Sequence, residues 1–215
     1  PENIDVECVT NEFEFFRPRA IRLWVATWER PPKDATEDLL VLASPISPLL
    51  SFPAPPHIER VRIEPDERLD YFDDYRALYR ELNGTAPELA GIVAPEDHAT
   101  LASCAQAGGF SRVLIDGRRA GFIAARPGSY RCWKGWEMID EILAAEFRGC
   151  GFAPAMQFAF LHTLDLQRSS SIFGTIASRN LPSIMTARRV GREVVETGYF
   201  IRTRFPSSEL NDPAR

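Results

Sequence analysis

The residues that could do chemistry lie in two neighbouring stretches. The first, Arg148-Gly149-Cys150-Gly151-Phe152-Ala153, joins an apolar strand-like segment to an apolar helical one. Glycines let the backbone approach a ligand closely, and the first turn of a helix leaves N–H groups free beside the positive end of its dipole. These features favour the binding of a pyrophosphate. An ordinary glycine-containing turn is the alternative, because the residues of this loop alone do not exclude it.

Three carboxylates, Glu137, Asp140 and Glu141, precede this loop on the strand-like segment. A carboxylate with a raised pKa can remove a proton from an amine, directly or through water. The two-residue alternation of a strand predicts that Glu137 and Glu141 share one face of the sheet and that Asp140 lies on the other. Salt bridges or exposed strand-end charges are the alternative roles for these groups.

Sequence patterns place these residues within a regular series of elements that begins at about residue 57. Strand-like and helical segments follow in the order β-α-α-β-β-β-α-β-α-β, which predicts a mixed α/β sheet covered by helices. The clearest hairpin signal is Asp116-Gly117 between two apolar runs. The pair Asn83-Gly84 predicts the end of the first helix, and Pro154 is expected in the first turn of the helix after the loop.

The N-terminal part of the chain follows another pattern. Two strand-like segments, at about residues 20–28 and 38–44, either form a small hairpin or add to the main sheet. The stretch from Pro45 to Pro56 holds five prolines in twelve residues, which predicts a connector that is neither helix nor central strand. The predicted division of the chain is an N-terminal extension (1–56), a main domain (57–205) and a tail (206–215).

Composition argues against several classes of protein. The formal charge of -5, from 30 acidic and 25 basic residues, disfavours a general nucleic-acid binder. No apolar run reaches the length of about 18 residues that a membrane span needs, and the N-terminus lacks the pattern of a signal peptide. The four cysteines contain no CxxC pair and the three histidines are scattered. We therefore expect a cytoplasmic protein with reduced thiols and no metal site.

Two motifs carry a resemblance to a known family. The loop, read as Arg148-x-x-Gly151-x-Ala153 between a strand and a helix, resembles the acetyl-coenzyme A signature of the GCN5-related N-acetyltransferases (the GNAT family). Downstream, residues 179–192 are similar to the family's second motif, where an asparagine opens a helix after a strand; Asn180, Ser183 and Gly191 match. The resemblance covers about two thirds of the chain, and two motifs in the right order are more specific than either alone.

The resemblance implies an acyl-CoA N-acyltransferase fold, with a mixed, mostly antiparallel central sheet flanked by helices. It implies that acetyl-CoA, or another acyl-CoA, binds as co-substrate where the fourth and fifth strands of that fold splay apart. Leu143 and Ala145 would offer backbone groups to the pantetheine arm, and Asn180 would contact this arm from the opposite side. The other residues that it places at the cofactor, with the amides of 149–153 on the pyrophosphate, are Arg148, Gly149, Cys150, Gly151, Phe152, Ala153 and Ser183.

The resemblance also suggests catalytic groups. Glu137 lies eleven residues before Arg148, an offset similar to that of the catalytic glutamate in some members, and Glu141 is the second candidate base. Many members carry a tyrosine seven residues after the helix-opening asparagine, which protonates the thiolate; this chain has Ala187 there. Ser183, Tyr199, water or solvent would have to supply that proton.

The function implied by the resemblance is acetyl transfer from acetyl-CoA to a primary amine of a small molecule or a protein, by direct attack. A longer acyl chain is one alternative. A catalytically degenerate module that binds or senses acyl-CoA is another, motivated by Ala187. The expected partner is an amine acceptor, with no nucleic acid and no membrane, and a homodimer remains open.

Overall fold

A single eight-stranded sheet forms the centre of the computed structural model, which describes residues 12, 20–27, 29–31, 33–165 and 171–203. The strands are β1 (Ala20–Ala26), β2 (Thr36–Pro45), β3 (Val61–Pro65), β4 (Phe110–Ile115), β5 (Arg118–Tyr130), β6 (Trp133–Leu143), β7 (Ser171–Ala177) and β8 (Glu193–Arg202). The α-helices are α1 (Ile46–Leu50), α2 (Phe72–Thr85), α3 (His98–Gln106), α4 (Phe152–Leu161) and α5 (Leu181–Arg189). Trp28, Cys8 and the predicted tail at 206–215 lie outside the described residues.

The strands lie in the order β1-β8-β2-β7-β6-β5-β4-β3. All neighbours are antiparallel except β6 and β7, which run parallel over three residue pairs, from Gly135–Ser171 to Glu137–Phe173. The predicted fold class, a mixed and mostly antiparallel sheet flanked by helices, is confirmed. The predicted order of elements after residue 57 is also confirmed.

The two N-terminal strands belong to the main sheet. β2 lies between β8 and β7, and β1 pairs with β8, so the two strands do not form a hairpin with each other. The segment from Leu40 to Ala43 is buried because β2 has neighbours on both sides and helices above it. A cut at residue 56 would therefore remove two of the eight strands.

The proline-rich stretch departs from its prediction. Pro45 is the last residue of the central strand β2, and residues 46–50 form α1. A helix is compatible with Pro48 because this residue lies in the first turn, where no intrahelical N–H bond is required. Ile46 and Leu49 are buried in the core, and this burial offsets the low intrinsic helix propensity of the segment.

One predicted turn is confirmed, and one predicted helix end is wrong. Asp116 and Gly117 both have positive φ, 51° and 76°, as the predicted two-residue hairpin turn requires. Helix α2, in contrast, was predicted to end at Asn83-Gly84 but continues through these two residues to Thr85. The extra turn is held by hydrogen bonds at its end, including one from the Ala86 N–H to the Leu82 carbonyl of 2.8 Å.

The helices cover both faces of the sheet. On one face α1 and α4 share a core cluster with Val113, Ile123, Trp136 and Ile172, and α5 packs on β2 beside α4. On the other face α2 and α3 enclose a second, more aromatic cluster. None of the helices in the described part of the chain is long and apolar enough to span a membrane.

Candidate active site

The parallel strands β6 and β7 separate after three residue pairs and leave a cavity between them. The last pair is Glu137–Phe173, and beyond it Met138–Leu143 and Gly174–Ala177 line the two sides. The cavity has a volume of about 780 Å³ and also contacts the ends of α2, α4 and α5. Its position brings together the loop at 148–153, the start of α5 and the carboxylates of β6.

A β-bulge in β6 decides which way those carboxylates point. Ala124 pairs with Asp140 and Ala125 with Met138, so Ile139 is an extra residue without a partner on β5. An extra residue inverts the alternation of side chains beyond it. The expectation that Glu137 and Glu141 share a face is therefore wrong, because it assumed an unbroken alternation.

Hydrogen bonds show the resulting arrangement. Asp140 accepts a bond from Tyr79 of α2, whereas Glu141 accepts one from Gln157 of α4 on the opposite face. Glu137 lies on the Asp140 side, bonded to Arg126 at 3.1 Å. Asp140 and Glu141 line the cavity, but Glu137 is not among its described lining residues.

Asp140 has an unusual environment for a carboxylate. One oxygen accepts from the Tyr79 hydroxyl at 2.6 Å and from the Glu141 N–H at 2.7 Å, and the other accepts from Tyr75. Burial raises the pKa of Asp140 above the ordinary range, and the tyrosine hydrogen bonds oppose this shift only in part. Burial and the adjacent carboxylate also raise the pKa of Tyr79, which therefore keeps its proton. Sequence reasoning missed both tyrosines, although Tyr75 and Tyr79 stand four residues apart on one helix face.

The loop at 148–153 has the backbone geometry predicted for an anion site. Gly149 and Gly151 have φ of 73° and 81°, a region that other residues rarely adopt. Helix α4 begins at Phe152 without a capping side chain, and Pro154 lies in its first turn as predicted. Gly149, Gly151 and Ala153 line the cavity, so the free amides at this helix end lie beside it. Cys150 is exposed and is not among the described lining residues.

The side chain of Arg148 turns back towards the end of β6. Its Nε donates to the Leu143 carbonyl at 2.6 Å, and its Nη1 donates to the Thr85 hydroxyl at 3.0 Å. The N–H of Ala145 donates to Glu81 at 3.1 Å. Side chains of this chain thus engage backbone groups of both residues that were predicted for the pantetheine arm: Arg148 bonds to Leu143, and Glu81 of α2 bonds to Ala145. Thr85, from the unpredicted end of α2, holds Arg148 in this position.

Asn180 lies across the cavity from that loop, at the start of α5. Its side chain accepts a bond of 3.4 Å from the Ser183 N–H, and both residues line the cavity. Ala187 is fully buried and packs towards β2. Among the described lining residues Ser183 is present and Tyr199 is absent. Of the two side chains expected to protonate the thiolate, Ser183 therefore lines the cavity, as does the hydroxyl-bearing Tyr79.

A second set of buried polar side chains lies on the face of the sheet that α4 covers. Gln157 donates to Glu141 and accepts from Nη2 of Arg192 at 2.9 Å, in a buried chain of three side chains. Burial raises the pKa of Glu141, and the positive charge of Arg192 lowers it in part. Sequence reasoning missed Gln157 and Arg192, because a polar residue within an apolar helix and a lone arginine after a glycine carry no distinct signal.

Comparison with solved structures identifies the fold. An acetyltransferase of the GNAT family from Colwellia psychrerythraea superposes with a TM-score of 0.58 at 12% identity, over 93% of this chain and 74% of that protein. A GCN5-related N-acetyltransferase from Kribbella flavida gives 0.54 at 13% identity, with coverage of 93% and 74%. The fold is that of the GCN5-related N-acetyltransferases. The resemblance predicted from the two motifs is confirmed at the level of the fold.

Other comparisons define the extent of this likeness. A GCN5-related N-acetyltransferase from Sphaerobacter thermophilus has a TM-score of 0.51 at 12% identity, over 85% of this chain. The chain spans 59% of that protein's length. No protein-family model and no curated protein matches the sequence. The GNAT likeness therefore lies in the three-dimensional arrangement of the chain.

Proposed function

We propose that this protein is an acyl-CoA-dependent N-acyltransferase that transfers an acyl group, acetyl in the simplest case, to the primary amine of a small molecule or protein. One observation carries the proposal. The two parallel central strands separate beside an uncapped helix N-terminus, and the cavity of about 780 Å³ between them contacts that helix end. A cavity of this size falls within the range of small-molecule and cofactor sites.

The residues around the cavity fit the parts of a coenzyme A thioester. The amides of residues 149–153 would hold the pyrophosphate, since a helix N-terminus and left-handed glycines present N–H groups to an anion. Asn180 and Ser183 would contact the pantetheine arm from the α5 side. Backbone groups of Leu143 and Ala145 would serve the other side of the arm, after exchange of their bonds to Arg148 and Glu81.

Acyl transfer requires two proton movements. The amine nitrogen bonds to the thioester carbonyl carbon and loses a proton, while the C–S bond breaks and the departing sulfur gains one. We assign the base to Asp140, whose raised pKa suits proton acceptance nearer neutrality and which lines the cavity. Tyr79 lines the cavity and donates a hydrogen bond of 2.6 Å to that carboxylate, and this position makes its hydroxyl the candidate donor to sulfur in place of Ala187. Glu141 remains a second candidate base, and Glu137 a weaker one because it pairs with Arg126.

A binding module without turnover is the competing function. Ala187 at the position of the family's tyrosine favours it, and so does the engagement of Leu143 and Ala145 by Arg148 and Glu81. Release of free thiol from acetyl-CoA, measured across a panel of amines, separates the two functions. An enzyme gives amine-dependent thiol release, whereas a binding module gives a stable complex without it.

Binding is tested through thermal stability. Acetyl-CoA should raise the melting temperature of the protein, because a ligand that binds only the folded state adds about 2.7 kcal/mol at a hundred times its Kd. Gly151→Asp should abolish this shift, since it places a carboxylate beside the expected phosphates. Gly151→Asn is the matched control: both side chains have the same shape and tolerate positive φ, and the Cβ position is open, with His57 at 3.8 Å. Equal shifts in the two variants would put the phosphates elsewhere.

A further inference from the structure

Arg192 is a buried cation at the point where the central strands part. Its relative exposure is 3%, yet it lines the cavity. The ideal Cβ position of Gly174, the first β7 residue beyond the parallel pairing, lies 3.6 Å from its Nη1. The guanidinium therefore lies at the closed end of the cavity, on the face of the sheet that carries α4 and α5.

Most of the donors of this guanidinium have no hydrogen-bond partner among the residues that the structure describes. Arginine has five N–H donors and keeps its charge in proteins. Among the described residues, the one side-chain hydrogen bond of Arg192 is the bond to Gln157. A buried charge with few hydrogen-bond partners is costly, so the remaining donors call for an acceptor inside the cavity.

The neighbouring Glu141 does not fill this need directly. Arg192 has only donors, so the Gln157 oxygen must face it and the Gln157 amide nitrogen then donates to Glu141. The carboxylate of Glu141 is thus separated from the guanidinium by a neutral amide.

We propose that Arg192 binds a carboxylate at the far end of the acyl group, so that the preferred thioesters are those of short dicarboxylic acids. This inference rests on the proposed function and names its acyl class. Arginine suits the role because its planar donors bind a carboxylate in bidentate fashion. We assign this carboxylate to the acyl group and not to the amine acceptor. Arg192 lies on the face of the sheet that carries α5 and the loop at 148–153, whereas Asp140, the base assigned to the amine, lies on the opposite face.

The test compares thioesters of equal shape and different charge. Malonyl-CoA is paired with isovaleryl-CoA, and succinyl-CoA with 4-methylpentanoyl-CoA, with free CoA as the reference and no amine present. Isothermal titration of the full chain should give at least one acid that binds more than about tenfold tighter than its neutral partner, because a site with buried polar groups rejects an analogue that leaves them unpaired. If neither acid has this advantage while free CoA binds, the inference is wrong and the proposed function stands. If free CoA does not bind, both are wrong.

Two substitutions locate the effect. Arg192→Met keeps a long unbranched side chain without charge and should remove the preference, while leaving the affinity for free CoA within about twofold, since that ligand does not reach the guanidinium. Arg192→Lys should keep part of the preference through its charge. If Arg192→Met still prefers the acidic thioester over its neutral partner, the assignment is wrong. It is also wrong if a carboxylate is required on the amine acceptor and not on the acyl group. If Arg192→Met does not fold, the wild-type comparison and Arg192→Lys decide the question.

Discussion

The three carboxylates of β6 differ in what surrounds them, and that difference separates their roles. Glu137 forms an ion pair with Arg126 at the edge of the site. Glu141 belongs to the buried chain that leads to Arg192. Asp140 is bonded to two tyrosine hydroxyls and lines the cavity. Only this last environment combines a raised pKa, access to the cavity and a neighbouring proton donor.

We expect Asp140→Asn to lower kcat about a hundred- to ten-thousand-fold, the usual loss when a general base is removed. Asparagine keeps the shape of the side chain, and the affinity for acetyl-CoA should stay near the wild-type value. Because Asp140 can accept a proton only when ionised, kcat/KM should rise with pH through its raised pKa, above the ordinary value of about 3.9. The variant should lack this acidic limb. Thiol release measured from pH 5 to 9 checks both expectations.

Matched variants of the neighbouring carboxylates provide the controls. Glu137→Gln should retain near-normal turnover, because its partner is Arg126 at 3.1 Å and it does not line the cavity. Glu141→Gln reports on the alternative base on the other face of the sheet. Loss of activity in Glu141→Gln with retention in Asp140→Asn would transfer the role to Glu141. If all three variants remain active, positioning and polarisation of the thioester carry the catalysis.

At the scale of single elements, local signals predicted much of the fold. Asp116-Gly117 gave the β4–β5 hairpin because two adjacent residues with positive φ permit few other turns. The loop before α4 was recognised because glycines and a free helix end are local features. The bulge at Ile139 was not predictable, since it depends on the register between β5 and β6 and not on periodicity. One unpaired residue therefore reversed the assignment of faces for the candidate bases.

The other errors also come from tertiary contacts that overrode local preference. Helix α1 forms in a proline-rich segment because Ile46 and Leu49 are buried against the core. Helix α2 passes Asn83-Gly84, and its extra turn supplies Thr85 to Arg148. Because of its bond to Thr85, the side chain of Arg148 points back towards Leu143 and not into the loop. A sequence pattern does not specify contacts between residues about 60 positions apart.

Asn180 allows the roles of a helix cap and of a cofactor contact to be separated. Asn180→Ala removes the acceptor for the Ser183 N–H and should lower the free energy of unfolding by about 1 kcal/mol. Asn180→Asp keeps a capping oxygen and should restore this stability. If the Asn180 amide group donates to the pantetheine arm, both variants should bind acetyl-CoA more weakly. Urea unfolding and titration calorimetry measure the two effects, and wild-type affinity in Asn180→Asp would exclude the amide contact.

At the scale of the whole molecule, the sheet consists of two four-stranded halves. One half is β1-β8-β2-β7 and the other is β6-β5-β4-β3, and among the described residues the two halves of the sheet pair with each other through the three residue pairs between β6 and β7. The candidate site lies where this short junction opens. The geometry of the cavity therefore depends on helices and strands that hold both halves at a fixed separation, including strands far from the site.

The N-terminal strands are therefore expected to be essential for both folding and binding. In the described sheet β2 is the only strand that joins β7 to β8, and its Val41 and Leu42 are buried to 1% and 0% exposure. A chain that begins at residue 57 would leave β8 without a neighbour and β7 with only three residue pairs. We expect this fragment to be insoluble or to unfold without a cooperative transition, and to show no stabilisation by acetyl-CoA.

A chain that begins at residue 20 is the control, since it retains both strands and should keep the cooperative transition and the ligand shift. Circular dichroism during thermal unfolding, with and without acetyl-CoA, distinguishes the two chains. A soluble fragment from residue 57 that binds acetyl-CoA with the affinity of the full chain would show that β1 and β2 are dispensable, and that the half containing β6 holds the site by itself.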